Sequence, residues 1–123
     1  MEYILIVDDD ENLCSVLSEE LTEIGYFTHY VTDAESAVRY IEEGNQVDLI
    51  LLDLKMPVND GFYVLRKLKE KEIYKKVIVL TAYADVKSAI DSARLGATDF
   101  ISKPYDLDEL IITIRKVLQK DIK

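Results

Sequence analysis

One stretch limits the architecture more than any other. Leu49-Ile50-Leu51-Leu52 is an unbroken apolar run that ends in a single carboxylate, Asp53, and then turns through Met56-Pro57 to Asn59-Asp60-Gly61. A run this short, rich in branched residues and bounded by turn signals, predicts a strand buried on both faces. Pro57 prevents the strand from continuing, because proline has no N–H for a central ladder, and Lys55 to Gly61 has the chemistry of a loop. Asp53 is therefore expected at the carboxyl end of a central strand. In an open parallel sheet, that edge faces the crevice where ligands bind.

The same pattern recurs along the chain. Tyr3 to Val7 is a short apolar run that ends in Asp8-Asp9-Asp10. Leu13, Val16, Leu17, Leu21 and Ile24 then fall at helical spacing with one apolar face, and Gly25 supplies a stop. Phe27 to Val31 is more mixed and predicts an edge strand. Thr32 and Glu35 stand in capping-box register ahead of a helix that carries Ala34, Ala37, Val38 and Ile41 and stops at Gly44. After Gly61 a third helix turns Val64, Leu65 and Leu68 inward. Val77 to Leu80 predicts another doubly buried strand, followed by Thr81-Ala82. Asp85 can cap a helix burying Val86, Ala89, Ile90 and Ala93, which closes at Gly96. A fifth strand covers Asp99 to Ser102, before Lys103-Pro104. Asp106 and Glu109 then open a last helix with one stripe of Leu107, Leu110, Ile111, Ile114, Val117 and Leu118.

Five strands alternating with five helices predict an α/β fold, a three-layer doubly wound domain around a parallel sheet with right-handed crossovers. The 123 residues suffice for one domain with a core that needs no staples. Cys14 is alone, so no internal disulfide forms, and it reads as a small apolar residue on a helix. No apolar stretch approaches the ~18 residues of a membrane span, and the N-terminus lacks a leader pattern, so a cytoplasmic chain without membrane contact is expected. The formal charge of -9 argues against direct nucleic-acid binding, which needs a basic face.

Parallel strands deliver their carboxyl ends to one edge. Asp8, Asp9, Asp53, Thr81 and Lys103 are thereby expected in one crevice. Carboxylates so close raise one another's proton affinity unless a positive charge intervenes. Mg²⁺ suits this oxygen-only set, whereas a thiolate or imidazole metal site has no support: Cys14 is alone and His29 falls in the edge strand. With the cation present, Asp53 is the candidate nucleophile toward phosphorus. The Thr81 hydroxyl, the Ala82 N–H and Lys103 are candidates to receive the phosphoryl oxygens.

These motifs, Asp8-Asp9, Asp53 to Gly61 with Met56-Pro57 and Asp60-Gly61, Thr81-Ala82 and Lys103-Pro104, resemble the receiver domain of two-component response regulators over the whole chain, residues 1–123. The resemblance implies a flavodoxin-like strand order of 2-1-3-4-5. It implies that Asp53 accepts a phosphoryl group from a phosphohistidine of a sensor histidine kinase or phosphotransfer protein. It further implies Mg²⁺ held by Asp9, Asp53 and the carbonyl of Lys55, with Asp8 acting through water. Phe100 matches the aromatic switch position, where many members have tyrosine, and Thr81 is its switching partner. The face of the fourth helix, fifth strand and fifth helix would then change, toward a downstream effector or a phosphorylation-dependent dimer. Lys55 and Tyr83 flank the expected path of hydrolytic water, and their bulk is expected to slow self-dephosphorylation, as in the sporulation phosphorelay receiver. Leu13, Cys14, Pro104 and Tyr105 are candidates for contact with the kinase.

Two other readings compete. A haloacid-dehalogenase-like phosphatase would use Asp8 and Asp10 as its Asp-x-Asp pair, but Asn12 stands where its threonine or valine is expected, and there is little room for its cap. The segment from Thr81 to Leu110 also resembles receivers that precede an ATPase and a DNA-binding domain in enhancer-dependent activators. The charged end Lys120-Asp121-Ile122-Lys123 suits instead a stand-alone phosphorelay protein. On either of these last two readings the chain is a switch that accepts a phosphoryl group, not a turnover enzyme.

Overall fold

A computed structural model describes residues 2–120, so Asp121 to Lys123 of the charged end lie outside the described residues. Strands β1 (Tyr3–Val7), β2 (Phe27–Val31), β3 (Leu49–Leu52), β4 (Lys76–Thr81) and β5 (Asp99–Ser102) alternate with helices α1 (Glu11–Ile24), α2 (Ala34–Glu42), α3 (Gly61–Glu70), α4 (Val86–Arg94) and α5 (Leu107–Leu118). All neighbouring strands are parallel, in the order β2-β1-β3-β4-β5. The expected architecture and order are therefore present.

Alternation along each strand divides the core in two. Leu5, Val7, Ile50, Leu52, Val77 and Val79 face one side with Ala37, Val38 and Ile41 of α2 and Val64, Leu65 and Leu68 of α3. Ile4, Ile6, Leu49, Leu51, Ile78 and Leu80 face the other, with Leu17 and Leu21 of α1 and Leu110, Ile114 and Val117 of α5. Each fully buried aliphatic side chain contributes about 1.5–3 kcal/mol, so the two faces together dominate stability. The register sets Val7 opposite Leu52 and Leu52 opposite Val79, which brings the ends of β1 and β3 to one level while β4 runs on past them to Thr81.

Helix caps and faces, and the bounds of one strand, depart from the sequence reading in four places. Asp10 caps α1 by accepting from the Leu13 N–H, and this phase buries Cys14, Leu17 and Leu21 while Val16 is 54% exposed and Ile24 also faces solvent. Position 16 lies about 100° around the helix from position 17, so both cannot meet the sheet. Asp33, not Thr32, caps α2, accepting from the Ser36 N–H at 2.7 Å. Strand β4 runs one residue further at each end than expected, making Thr81 its last member. The largest difference is α4: Asp85 caps it as expected, but Val86 and Ile90 are 76% and 46% exposed, Ala93 faces solvent, and Ser92 alone is buried.

The α2 cap has a measurable consequence. The Ser36 backbone and hydroxyl hydrogen bonds hold the Asp33 carboxyl below its ordinary pKa. Asp33→Ala is expected to lower stability by about 1 kcal/mol, read as a drop in thermal midpoint. Because the folded-state pKa is depressed, this contribution is complete above the ordinary carboxylate range and is lost as pH falls through the folded value. Melts of both proteins across acidic pH should therefore converge; a constant difference would contradict the assignment.

Candidate functional site

The crevice forms because two sheet ladders continue one residue past their strands. The Asp8 N–H donates to the Val31 carbonyl at 3.2 Å, and the Asp53 N–H donates to the Val7 carbonyl at 2.9 Å. The side chains of Asp8 and Asp53 are thus held side by side beyond β1 and β3, only 3% and 6% exposed. Asp9 is exposed beside them, and one carboxylate oxygen from each of Asp8, Asp9 and Asp53 lies within 4.8 Å of the others. The distant acids that the strand-end pattern predicts to meet do so. Asp10 does not join them: its carboxylate caps α1 while its N–H donates to Asp8 Oδ1 at 2.9 Å, so the phosphatase-like Asp8/Asp10 pairing is not built.

Lys103 enters from the far side of β4. Its N–H donates to the Thr81 carbonyl at 2.9 Å, which fixes the β5–α5 loop against the end of β4. Its ammonium then donates to Asp8 Oδ2 at 2.5 Å and to Asp53 Oδ2 at 3.4 Å. Burial pulls the Lys103 pKa down, but the hydrogen bond and charge of Asp8, with the charge of Asp53, outweigh it and hold the group cationic. On Asp8 the balance reverses. Burial raises its pKa more than the Lys103 hydrogen bond lowers it, and the Asp53 charge adds to the rise. The pocket therefore has more negative charge than one ammonium offsets comfortably, and an oxygen-only set of this kind fits a hard divalent cation.

The remaining predicted residues ring this centre. Thr81 is fully buried, and its hydroxyl accepts from the Tyr83 N–H at 3.2 Å; Ala82 between them is exposed. The Lys55 N–H donates to Asp53 Oδ1 at 3.3 Å, while its ammonium lies 4.6 Å from the centre of the Tyr83 ring. Lys55 and Tyr83 thus meet each other above the β3 and β4 ends instead of merely flanking the crevice separately. Such a contact between exposed groups contributes about 0.5–1 kcal/mol. Phe100, opposite Val79 in the register, is half-buried and packs on the α2–α3 side of the core.

Leu13, Ala82, Lys103, Pro104 and Tyr105 line a mainly apolar hollow of about 360 Å³ against the crevice. Cys14 is fully buried, its thiol pushed up to about 12 by burial and by Asp8 and Asp10, so it offers no surface to a partner and the contact expectation narrows to Leu13, Pro104 and Tyr105. The sequence did not announce that the Tyr105 hydroxyl donates to Glu20 Oε1 at 2.7 Å, tying the β5–α5 loop to α1. Burial, then the Glu20 bond, pushes the phenol pKa up. His29 lies on the edge strand as expected and stacks on Tyr40, centroids 4.2 Å apart.

Gly61, part of the Asp60-Gly61 motif, is a further residue whose requirement the packing explains. A Cβ there would lie 2.3 Å from the backbone oxygen of Asp53 and 2.9 Å from Leu54 Cα. The Gly61 N–H donates to the Leu54 carbonyl at 3.0 Å, closing the loop on itself. Close approach, not an unusual backbone angle, requires glycine at this position.

The sequence model for the response regulator receiver domain matches residues 4–115. The chain is 37% identical over 116 residues to the regulatory protein AtoC of Escherichia coli K12, covering 94% of this chain and 25% of that protein. It is 36% identical to the probable transcriptional regulator ycf27 of Guillardia theta, covering 99% and 47% respectively. It thus spans a quarter to about half the length of these relatives. Among solved structures, the receiver domain of Francisella response regulator 1452 superposes with a TM-score of 0.89 at 29% identity, covering 97% of this chain and 98% of that one. The response regulator TrrA of Thermotoga maritima, in complex with Mg²⁺-BeF, superposes with a TM-score of 0.84 at 35% identity, covering 95% and 99%.

Proposed function

We propose, from the premise that this chain belongs to the response regulator receiver domain family, that Asp53 is the carboxylate that accepts a phosphoryl group from a phosphohistidine of a sensor histidine kinase or phosphotransfer protein. The observation that carries this reading is the position of Asp53: buried at the end of the central strand, beside Asp8 and Asp9, with the Lys103 ammonium 3.4 Å away. An Asp53 oxygen forms the new bond to phosphorus as the phosphorus–nitrogen bond breaks, and the imidazole keeps that electron pair. Little else is asked of the protein beyond placement and charge. Thr81 and the Ala82 N–H receive phosphoryl oxygens, and Lys103 turns part of its charge from Asp8 toward them.

Asp8, Asp9 and Asp53, with the Lys55 carbonyl, are the groups that would hold Mg²⁺. When bound, the ion neutralises charge on the acids and on the incoming phosphoryl oxygens. Intact-mass spectrometry after incubation with acetyl phosphate and Mg²⁺ tests the whole reading. A gain of one phosphoryl group, lost without Mg²⁺, is expected, and an unchanged mass would overturn it.

Phosphorylation adds charge and acceptor oxygens at one end of β3 and β4, and the response travels as a shift in population. Thr81 moves toward the new group and Phe100 packs further inward; lacking a hydroxyl, Phe100 acts by packing alone. The face altered is that of α4, β5 and α5, where exposed Val86 and Ile90 offer apolar contact to an effector or to a phosphorylation-dependent second copy. The module is a regulatory switch, not a turnover enzyme. Cytoplasmic residence is part of the proposal; among the described residues no helix is long and apolar enough to cross a membrane.

The Lys55–Tyr83 pair sets how long the signal lasts. The two side chains meet, 4.6 Å from ammonium to ring centre, each two residues past a residue of the crevice, and excluding water there would slow hydrolysis of an acyl phosphate. Replacing both by alanine is expected to shorten the phosphoryl lifetime, measured as decay of the phosphorylated mass after removal of donor. An unchanged lifetime would remove the pair from the mechanism. A second reading, that the chain is the receiver part of a longer transcription activator, is favoured by its covering only 25% of AtoC. It changes the output and leaves the chemistry intact.

A further inference from the structure

At the amino-terminal edge of the sheet, away from the acid crevice, a cavity of about 320 Å³ lies between the C-terminal ends of α3 and α4 and the start of β4. Its walls are apolar, from Leu65, Leu68, Ile73 and Leu95. Its rim is cationic, from Lys69, Lys75 and Arg94. Lys76 also lines it, but its ammonium is engaged with the Leu118 carbonyl at 2.7 Å. Among the described residues, Lys69, Lys75 and Arg94 form no salt bridge, although the chain carries a net charge of -9 and acids are plentiful. Lys69 and Arg94 stand in the last turns of α3 and α4, where a cation also offsets the terminal carbonyls. Lys75 belongs to neither helix, so helix dipoles do not account for it.

We propose that this cavity binds a small anionic amphiphile, an apolar aliphatic or aromatic body carrying one carboxylate, phosphate or sulfonate. The size is that of a small-molecule site, with apolar walls for the body and three cationic residues in its lining for the head. Three cations around one hollow suit a single head group, whereas a nucleic-acid strand needs a continuous basic track. The occupant would also supply packing that α4 lacks. That helix buries only Ser92, and Ala93, Arg94 and Leu95 at its C-terminal end form one wall of the cavity. Ligand there braces α4 from below, at the edge of the sheet opposite Asp53.

The test is a ¹H–¹⁵N NMR titration of the whole protein with decanoate, decyl phosphate and decylammonium below their micelle concentrations. Saturable shifts are expected at the Ile73, Gly96 and Thr98 amides with one or both anions, and none there with decylammonium; the two anionic arms separate carboxylate from phosphate preference. The double variant Lys75→Glu/Arg94→Glu should bind at least about tenfold more weakly, as loss of charged hydrogen bonds to the head group requires. Ala93→Phe, at an exposed helix position, should block entry without altering charge. No saturable shift with either anion, equal shifts with decylammonium, or undiminished binding by the blocked variant would each overturn the proposal.

Discussion

Asp53→Ala is expected to abolish phosphoryl gain from acetyl phosphate, where the parent is expected to take up one group per chain. No neighbour can replace it. Asp8 is equally buried, but it is committed to Lys103 at 2.5 Å and to the Asp10 N–H at 2.9 Å. Asp9 is exposed, and alone of the three acids it lacks a deeply buried position. The same substitution has a second signature. A cation that binds only the folded acid cluster stabilises it by about 2.7 kcal/mol at a concentration 100 times its dissociation constant. Thermal melting with and without Mg²⁺ should show a rise in the parent and a much smaller one in the variant. Residual phosphorylation of the variant would place the acceptor elsewhere; an undiminished Mg²⁺ effect would remove Asp53 from the metal site.

Gly61→Ala is expected to be nearly as damaging, although no side chain of the site is touched. The added methyl carbon meets backbone, Asp53 oxygen at 2.3 Å and Leu54 Cα at 2.9 Å, so no rotamer change can relieve it. Either the start of α3 or the carboxyl end of β3 must move. Overpacking of this kind costs on the order of 1–3 kcal/mol, which melting will report. Displacing a reacting group by about 1 Å can slow chemistry about a hundredfold, so phosphoryl uptake should fall more than the lost stability explains. Uptake at the parent rate in a folded variant would show that the loop tolerates the shift. Gly25, at φ 117 with open space around its missing Cβ, is the contrast: there the requirement is conformational, and alanine leaves Asp53 in place.

These two residues also mark how far the sequence could be read. Asp53 was legible because an apolar run ending in one acid has few structural meanings, and repetition of that pattern at Asp8 placed both on one edge. Core division follows from the same runs, which are apolar on both faces, whereas the strand order was implied by the resemblance to the receiver family and not by the runs themselves. Helix α4 misled because Val86, Ile90 and Ala93 have the spacing of a buried stripe, and spacing alone does not say whether the opposing surface is another element or solvent. The α2 cap was misplaced by one residue because the side chains of Thr32 and Asp33 can both accept from the first helical N–H groups and only the backbone decides between them. Gly61 could have been suspected from Asp60-Gly61 at a helix start, but a 2.3 Å approach is a fact of packing. The Tyr105–Glu20 and Lys55–Tyr83 contacts join residues whose separation in the chain hides them.

The two sides of the crevice differ in stiffness. On one, the Leu54–Gly61 hydrogen bond and the absence of room for a methyl carbon fasten the chain from β3 into a helix with four buried residues. On the other, β4 leads into a helix held by a single buried serine. Such a vice has one firmly seated jaw and one lightly held, so charge added between them is expected to displace the lighter jaw, and the omitted anchor would set the direction in which a signal leaves the crevice.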